Sequence, residues 1–499
     1  MNEKAVIRRL PTGVSGLDAI LGGGFPEYSF NIIVGPPGSG KTTLAHQIMF
    51  SLATREKPAL FFTVLGEPPL KMLRYQQQFS FFNADTVNDT IRFVSLSEDI
   101  ATGDYARVLA RIAREVEASS PGLVVVDSFR SVMYEARHPS KDTISQQQFI
   151  QQLGIHLSCW QATSFLIGEY SSESDHHPVF TVADGLLSLH QSVYRNSMVR
   201  KIQVLKMRGQ ATRPGMHTFN ITSAGIVVYP TALVLDTIVD AYSAAGKPRR
   251  RERLAIGVPR LDEMLGGGLP SGYSLLVAGP SGSGKTVLAT AFLAEGVRRD
   301  EPGVIVAFEQ TPSQSWMHML NDMIGSGQVG LINTRSLDLS IDEIVHRLTE
   351  LIQRMNATRV VIDSLSGFEL AVAPTFREDF RESLFRMFAV LSKLGVTVLM
   401  TSELEDRYTD LRFSPYGAAF LTDAIIVQRY IEVESRLQRV MAVVKVRASA
   451  HNKEIRRYEI TDEGIVIGDP VRDYEGILGG QPTRTRTVDT IMRNKRRCV

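Results

Sequence analysis

Two stretches of this chain carry residues that together could grip a polyphosphate: GPPGSGKT, Gly35 to Thr42, and GPSGSGKT, Gly279 to Thr286. Both fit the spacing G-x-x-x-x-G-K-[ST]. In that pattern glycines let successive backbone N–H groups turn inward on phosphate oxygens at a helix N-terminus. The candidate binding residues are Gly35, Gly38, Ser39, Gly40, Lys41, Thr42 and Thr43 in the first loop. Gly279, Gly282, Ser283, Gly284, Lys285 and Thr286 are their counterparts in the second. Lys41 and Lys285 would reach the outer phosphates of a nucleotide, and the Thr42 and Thr286 hydroxyls would coordinate Mg2+.

Other residues could complete that chemistry. Asp127 and Asp363 each end an apolar run and precede a serine, the place of an aspartate that holds Mg2+ beside a phosphate loop. Hydrolysis also needs a carboxylate that orients and activates water. In the second half AFEQTP offers Glu309 for this role, whereas the first half reads TVLGEPP, with Leu65 and Gly66 in register and Glu67 two residues further on. Pro68 and Pro69 stiffen the loop that would have to bring Glu67 in. Glu169 and Glu403 close the next strand, where they would sense a terminal phosphate or cap a helix. Lys206 with Arg208, and Lys445 with Arg447, are spaced to share one strand face. Far from the phosphate loops in sequence, these pairs suit contact with a nucleotide on a neighbouring subunit, where a cation donated in trans stabilises phosphoryl transfer. A solvated face with salt bridges is the plainer alternative.

The elements that must position these groups alternate. FNIIVG is a short apolar strand feeding the first loop, and TTLAHQIMFSLA after it has helical spacing. ALFFTV, LVVVDS and SFLIGE read as buried strands, and SLLVAG, VIVAFE, VVIDS and VTVLMTSE echo them in the second half. Strands rich in Val, Ile and Phe, separated by helices, imply an α/β fold with a parallel sheet covered on both faces. An offset of 244 positions lays GVSGLDAILGGGFP on GVPRLDEMLGGGLP and one phosphate loop on the other. KMRG then answers KVRA, and FNITSAGIVV answers YEITDEGIVI, so whole domains are duplicated rather than solenoid repeats. The expected division is a first domain over 1–246, a basic linker over 247–253, a second domain over 254–470, and a mobile tail over 471–499.

Composition narrows the class. The chain has 499 residues, 43% hydrophobic and 22% charged, ordinary values for a globular protein of more than one domain. Lys and Arg number 55 against 53 acidic residues, so no overall field draws it to nucleic acid. The basic runs RRRER and RNKRR read as solvated charge. Two cysteines, Cys159 and Cys498, make no disulfide framework, and no apolar run is long enough to span a membrane. The expectation is a soluble cytoplasmic protein.

GLDAILGGG before a strand, GPPGSGKTTL, the tandem organisation and the KMRG and KVRA strands together closely resemble the KaiC family, from about Gly13 to Gly468. The resemblance implies two tandem RecA-like P-loop domains, a double-ring homohexamer binding ATP and Mg2+ between subunits, and ATPase and Ser/Thr autokinase activity. It also implies circadian-type or other signalling through small KaiB-like partner proteins. It makes Lys206, Arg208, Lys445 and Arg447 the trans-acting residues and puts His451 near the second nucleotide, with Thr212 in the first copy's equivalent place. The chain departs from the family in two places. The paired glutamates of the family are Glu309–Gln310 in the second copy and Leu65–Gly66 in the first. Aligned on Thr422-Asp423-Ala424-Ile425-Ile426, the Ser–Thr phosphorylation pair is replaced by Ala419 and Phe420, leaving Ser414, Tyr416 and Thr422 as nearby hydroxyls. A nucleic-acid-dependent ATPase of the RecA or DnaB type and an ATP-assembled scaffold are the alternatives weighed against this reading.

Overall fold

The computed structural model describes residues 7–63, 69–101, 104–127, 146–169, 179–194, 197–231, 252–308, 314–333, 340–372, 380–404, 421–433, 435–472, 474–477 and 483–484. They fall into two units, 1–231 and 232–499. In the first, the apolar runs become strands because β-branched and aromatic side chains fit a pleated surface covered on both faces. From one edge, the nine-stranded sheet runs Ile91–Ser95, Ala59–Thr63, Leu123–Asp127, Thr163–Gly168, Phe30–Val34, Gly185–Tyr194, Ser197–Met207, Met216–Thr222 and Gly225–Tyr229. The first six strands are parallel and the last three pairings antiparallel.

The second unit repeats that order. Its sheet runs Val329–Asn333, Gly303–Ala307, Arg359–Asp363, Thr397–Glu403, Ser274–Gly279, Ala424–Val433, Arg436–Val446, Arg456–Thr461 and Gly464–Pro470, with the same parallel and antiparallel parts. The expected pair of RecA-like domains is what the chain forms. In both, the strand feeding the phosphate loop lies inside the sheet, which fixes the loop against strands on both sides.

Side chains alternate across each strand, so each sheet builds a core on both faces. In the first unit Ile32, Leu60, Phe62, Val124, Val126 and Leu166 pack on one face with Val108, Ile112 and Val116 of the helix Tyr105–Ser119. Ile33, Phe61, Val125, Phe165 and Ile167 pack on the other with Leu44, Ala45, Ile48 and Met49 of the helix Lys41–Leu52. Asp104 starts the former helix by accepting from the Ala106 and Arg107 amides, as Ser340 does for the helix Ile341–Met355 by accepting from Glu343.

Two expectations about the ends of the second domain change. Arg253, placed in the linker, is instead part of a short strand that pairs with Pro270, and its guanidinium donates to the Leu265 and Gly268 carbonyls at 3.0 and 2.7 Å. A long cation satisfies the carbonyls of the glycine turn, which a reading of RRRER as solvated charge misses. Part of the segment expected to be a mobile tail is also packed. Ile477 is buried against Ile431, Val433 and Val440, and Tyr474–Glu475 pairs with Thr483–Arg484. The remainder of both segments lies outside the described residues. Among the described residues no helix is long and apolar enough to cross a membrane.

One buried group makes the first unit acid-sensitive. His46, on the inner face of the helix Lys41–Leu52, lies tilted against Phe61 with ring centroids 4.6 Å apart and is fully buried. Burial pushes its pKa from 6.5 down to about 3, opposed by the Gln76 amide. The unfolded chain therefore takes up a proton that the folded chain refuses. The stability is complete above about pH 6.5 and falls by about 1.4 kcal/mol per pH unit on acidification below it. Urea unfolding across that range is expected to be steeper in pH for the native chain than for His46→Leu by about this slope; equal slopes would contradict the assignment.

Candidate functional site

Each phosphate loop drops from a buried strand into a helix whose first amides no side chain caps. Gly40 and Gly284 precede the helices Lys41–Leu52 and Lys285–Arg298 with φ of 99° and 92°, a conformation that costs any other residue strain. A β-carbon at Gly40 would meet Ile221 Cδ1 at 3.0 Å, and one at Gly284 would meet Ile460 Cδ1 at 2.8 Å. Gly38 and Gly282 share a φ of 75°. The result in both units is a turn of backbone at a positive helix end, the arrangement that suits an anion.

The lysines lie across these turns. Lys41 Nζ donates to the Pro36 carbonyl at 2.8 Å, and Lys285 Nζ to the Gly279 and Pro280 carbonyls at 2.9 and 2.8 Å. Burial lowers the pKa of Lys41, while Glu169 and then Asp127 raise it. Both carboxylates line the same cavity of about 340 Å3, with Gly38, Gly40, Thr42, Thr43 and Thr63. Glu169 is thus brought to the first site. Glu403 ends its strand exposed, its amide donating to Ser366 Oγ at 3.4 Å.

Thr42 Oγ1 donates to Asp127 Oδ2 at 2.7 Å, and Thr286 Oγ1 to Asp363 Oδ2 at 2.9 Å. One hydroxyl and one carboxylate, both hard oxygen donors at the mouth of a phosphate cradle, fit Mg2+. Among the described residues no group of three or more His, Cys, Asp and Glu could cage a metal by itself. A cation at these pairs would therefore share its coordination with phosphate oxygens and water. Asp363 has a second partner in Thr401, which sequence reasoning missed; Ile167 stands at the matching place in the first unit. Laying the two copies together would have shown that difference.

The basic pairs sit elsewhere. Lys206 lies opposite Leu186 and Lys445 opposite Ile425, near the starts of the parallel strands, while both phosphate loops lie at their ends. At about 3.3 Å per residue the separation along the sheet exceeds 10 Å. Arg208 and Arg447 fall one residue past the strand ends Met207 and Val446, yet Lys206 and Arg208 stay on one side, where both donate to the Thr181 carbonyl at 3.1 Å. The Lys206 ammonium donates to the Phe180 and Thr181 carbonyls at 3.1 Å each, and Lys445 to the Thr422 carbonyl at 2.7 Å. Arg208 pairs with Asp184 at 3.3 Å and Arg447 with Asp423 at 3.4 Å. Burial and then the neighbouring arginine lower the pKa of both lysines, and the aspartate partly restores it. His451 follows on the same side of the second unit, its ring nitrogens buried without a hydrogen-bond partner among the described residues.

Glu67, Glu309, Gln310, Leu65, Gly66, Ser414, Tyr416, Ala419 and Phe420 lie outside the described residues. Thr422, considered as a phosphate acceptor, is wholly buried, which leaves its hydroxyl no route to a nucleotide without local opening.

A sequence model of the family described as "ATPase: KaiC" matches residues 10–232 and again residues 254–472. The chain is similar to the circadian clock oscillator protein KaiC 1 of Synechocystis sp., 26% identical over 496 residues, which cover 96% of this chain and 92% of that protein. It is also similar to the circadian clock oscillator protein KaiC of Rippkaea orientalis, 26% identical over 506 residues, covering 98% and 94%. The circadian clock protein KaiC3 of Synechocystis sp. matches at 26% over 498 residues, covering 96% and 95%.

The Thr–Asp pairs generate a direct test. In a Lys41→Ala chain, whose nucleotide binding reports on the second loop, Asp363→Asn is expected to weaken Mg-ATP by about tenfold or more, about 1.4 kcal/mol. Binding measured in EDTA should change far less. A loss of the same size without the metal would assign Asp363 to loop structure instead.

Proposed function

The chain belongs to the KaiC ATPase family, and we propose that it binds Mg-ATP at both phosphate loops and hydrolyses it as a homohexamer, with neighbouring subunits completing each site. The observation that carries this reading is the duplicated Thr–Asp pair at the foot of an uncapped, glycine-turned helix. The position of the basic pairs supports the trans arrangement. Lys206, Arg208, Lys445 and Arg447 are on the wrong edge of their own sheet to touch their own loop, so a neighbour's nucleotide is what they suit. His451, on the same edge, would meet that nucleotide too.

The residues take these roles. Backbone amides of Gly38, Gly40, Gly282 and Gly284 and the Lys41 and Lys285 ammonium groups hold the phosphates. Ser39, Thr43 and Ser283 shape the two loops. Thr42 with Asp127, and Thr286 with Asp363, hold the magnesium, which when bound neutralises charge on the phosphates. Glu309 orients water at the second site, and Glu67 does so less effectively at the first, because the two residues out of register lengthen its reach. The proposed domains are 1–246 and, with Arg253 and Ile477 counted in the second, 253–477, joined by the basic segment. Without a hydroxyl at Ala419 or Phe420, and with Thr422 buried, hydrolysis rather than the family's two-site autophosphorylation is the proposed activity. Ser414 is the hydroxyl through which a residual autokinase would act. The relatives are circadian clock proteins, and signalling through small KaiB-like proteins in the cytoplasm is the proposed setting.

Turnover of ATP with the oligomeric state resolved by size tests the core of this reading. Glu309→Gln should lower turnover by about a hundredfold at the second site, and Glu67→Gln should cost less. Equal mixing of Lys285→Ala and Arg447→Ala chains should restore about a quarter of the second-loop sites, since a ring then contains interfaces with both residues intact. No recovery on mixing would place Arg447 in cis or outside the reaction, and a nucleotide-independent monomer would overturn the hexamer.

A further inference from the structure

The second phosphate loop is held by two side chains that the first loop lacks. Tyr458 Oη donates to the Ser283 carbonyl at 2.5 Å, and Ser283 Oγ donates to Gln428 Oε1 at 3.1 Å. Tyr458 comes from the strand Arg456–Thr461 and Gln428 from the strand Ala424–Val433, and both are buried. In the first unit the same places hold Phe219 and Leu189. The match is local as well as by register: a β-carbon at Gly279 would meet the Gln428 carbonyl at 3.0 Å, and one at Gly35 would meet the Leu189 carbonyl at 2.4 Å. Ser39 Oγ is buried with no hydrogen-bond partner among the described residues.

A planar trans peptide explains why this matters. The carbonyl of Ser283 and the N–H of Gly284 belong to one peptide group and point in opposite directions. Tyr458, by holding the carbonyl, turns the Gly284 N–H to the other side of the loop, as a donor for phosphate. Burial raises the Tyr458 pKa, so its hydroxyl keeps the proton it donates. Donors fixed before binding spare the cost of ordering them when the ligand arrives. Ile221 and Ile460 press on the glycines of both loops alike, so the apolar contact is shared and only the polar one differs.

We propose that Tyr458 and Gln428 are positioning residues that hold the second phosphate loop in its nucleotide-binding shape, so that this loop takes nucleotide with less reorganisation than the first. The inference rests on the reading of both loops as ATP sites. It is tested by exchanging the residues between copies in the full chain, with Mg-ATP as ligand. In the Lys41→Ala background, Tyr458→Phe is expected to raise the Kd and the KM at the second loop about three- to tenfold while kcat moves much less. In the Lys285→Ala background, the reciprocal Phe219→Tyr is expected to tighten binding at the first loop, an outcome that general loosening of the fold does not produce. If Tyr458→Phe fails to fold, the reciprocal exchange decides: tighter binding supports the proposal and unchanged binding overturns it. Normal binding by the Lys41→Ala chain with no change on Tyr458→Phe overturns this inference alone. A Lys41→Ala chain that binds no Mg-ATP overturns the ATP reading of the second loop together with it.

Discussion

A helix that begins without a side-chain cap leaves its first amides to be satisfied by something else, and in each unit a glycine turn delivers those amides to one point. The rest of each unit holds that point still. The strand Phe30–Val34 is buried along its whole length, and Ser274–Gly279 nearly so, each with a parallel neighbour on either side. The helix after the turn packs its apolar face into one of the two cores. A loop fixed at both ends in this way keeps its donors aimed with little freedom to lose.

The same sheet order separates the charges. Parallel strands put every loop that follows a strand on one edge, so Asp127, Glu169 and Lys41 gather there. The antiparallel strands return to the opposite edge and leave Lys206, Arg208, Lys445 and Arg447 beside Asp184 and Asp423. Chain topology, rather than any local preference, therefore assigns the phosphate cradle and the basic pairs to opposite edges. The ring of identical subunits proposed above would bring them together.

Duplication preserved the frame and let the detail drift. Both copies keep the glycines, the lysine and the Thr–Asp pair. Around them the second copy has Thr401 on Asp363 and Tyr458 and Gln428 on Ser283, where the first has Ile167, Phe219 and Leu189. Arg359, wholly buried, is bound to Glu301 at 2.6 Å and lies over the Phe292 ring at 4.6 Å, while Leu123 fills its place in the first unit. These changes sit behind the loops rather than in them, and at these positions they put a polar side chain in the second unit where the first has an apolar one.

The amino-acid sequence alone determined the α/β class, the two-fold repeat and the residues of both phosphate loops. It could do so because those features are local: a period of two or 3.6 along the chain, or a glycine at a fixed spacing. The place of Asp127 and Asp363 beside the phosphate loops was legible for the same reason, since each aspartate ends an apolar run before a serine. Only the tertiary structure decided which edge of the sheet Lys206 and Lys445 occupy, because that depends on the direction of strands far apart in the chain. It alone showed Arg253 half-buried and held by carbonyl hydrogen bonds instead of lying in a solvated linker, Ile477 packed where a mobile tail was expected, and His46 shut away from water. Those outcomes depend on what lies across from a side chain, and a residue does not carry its opposite neighbour in its own name.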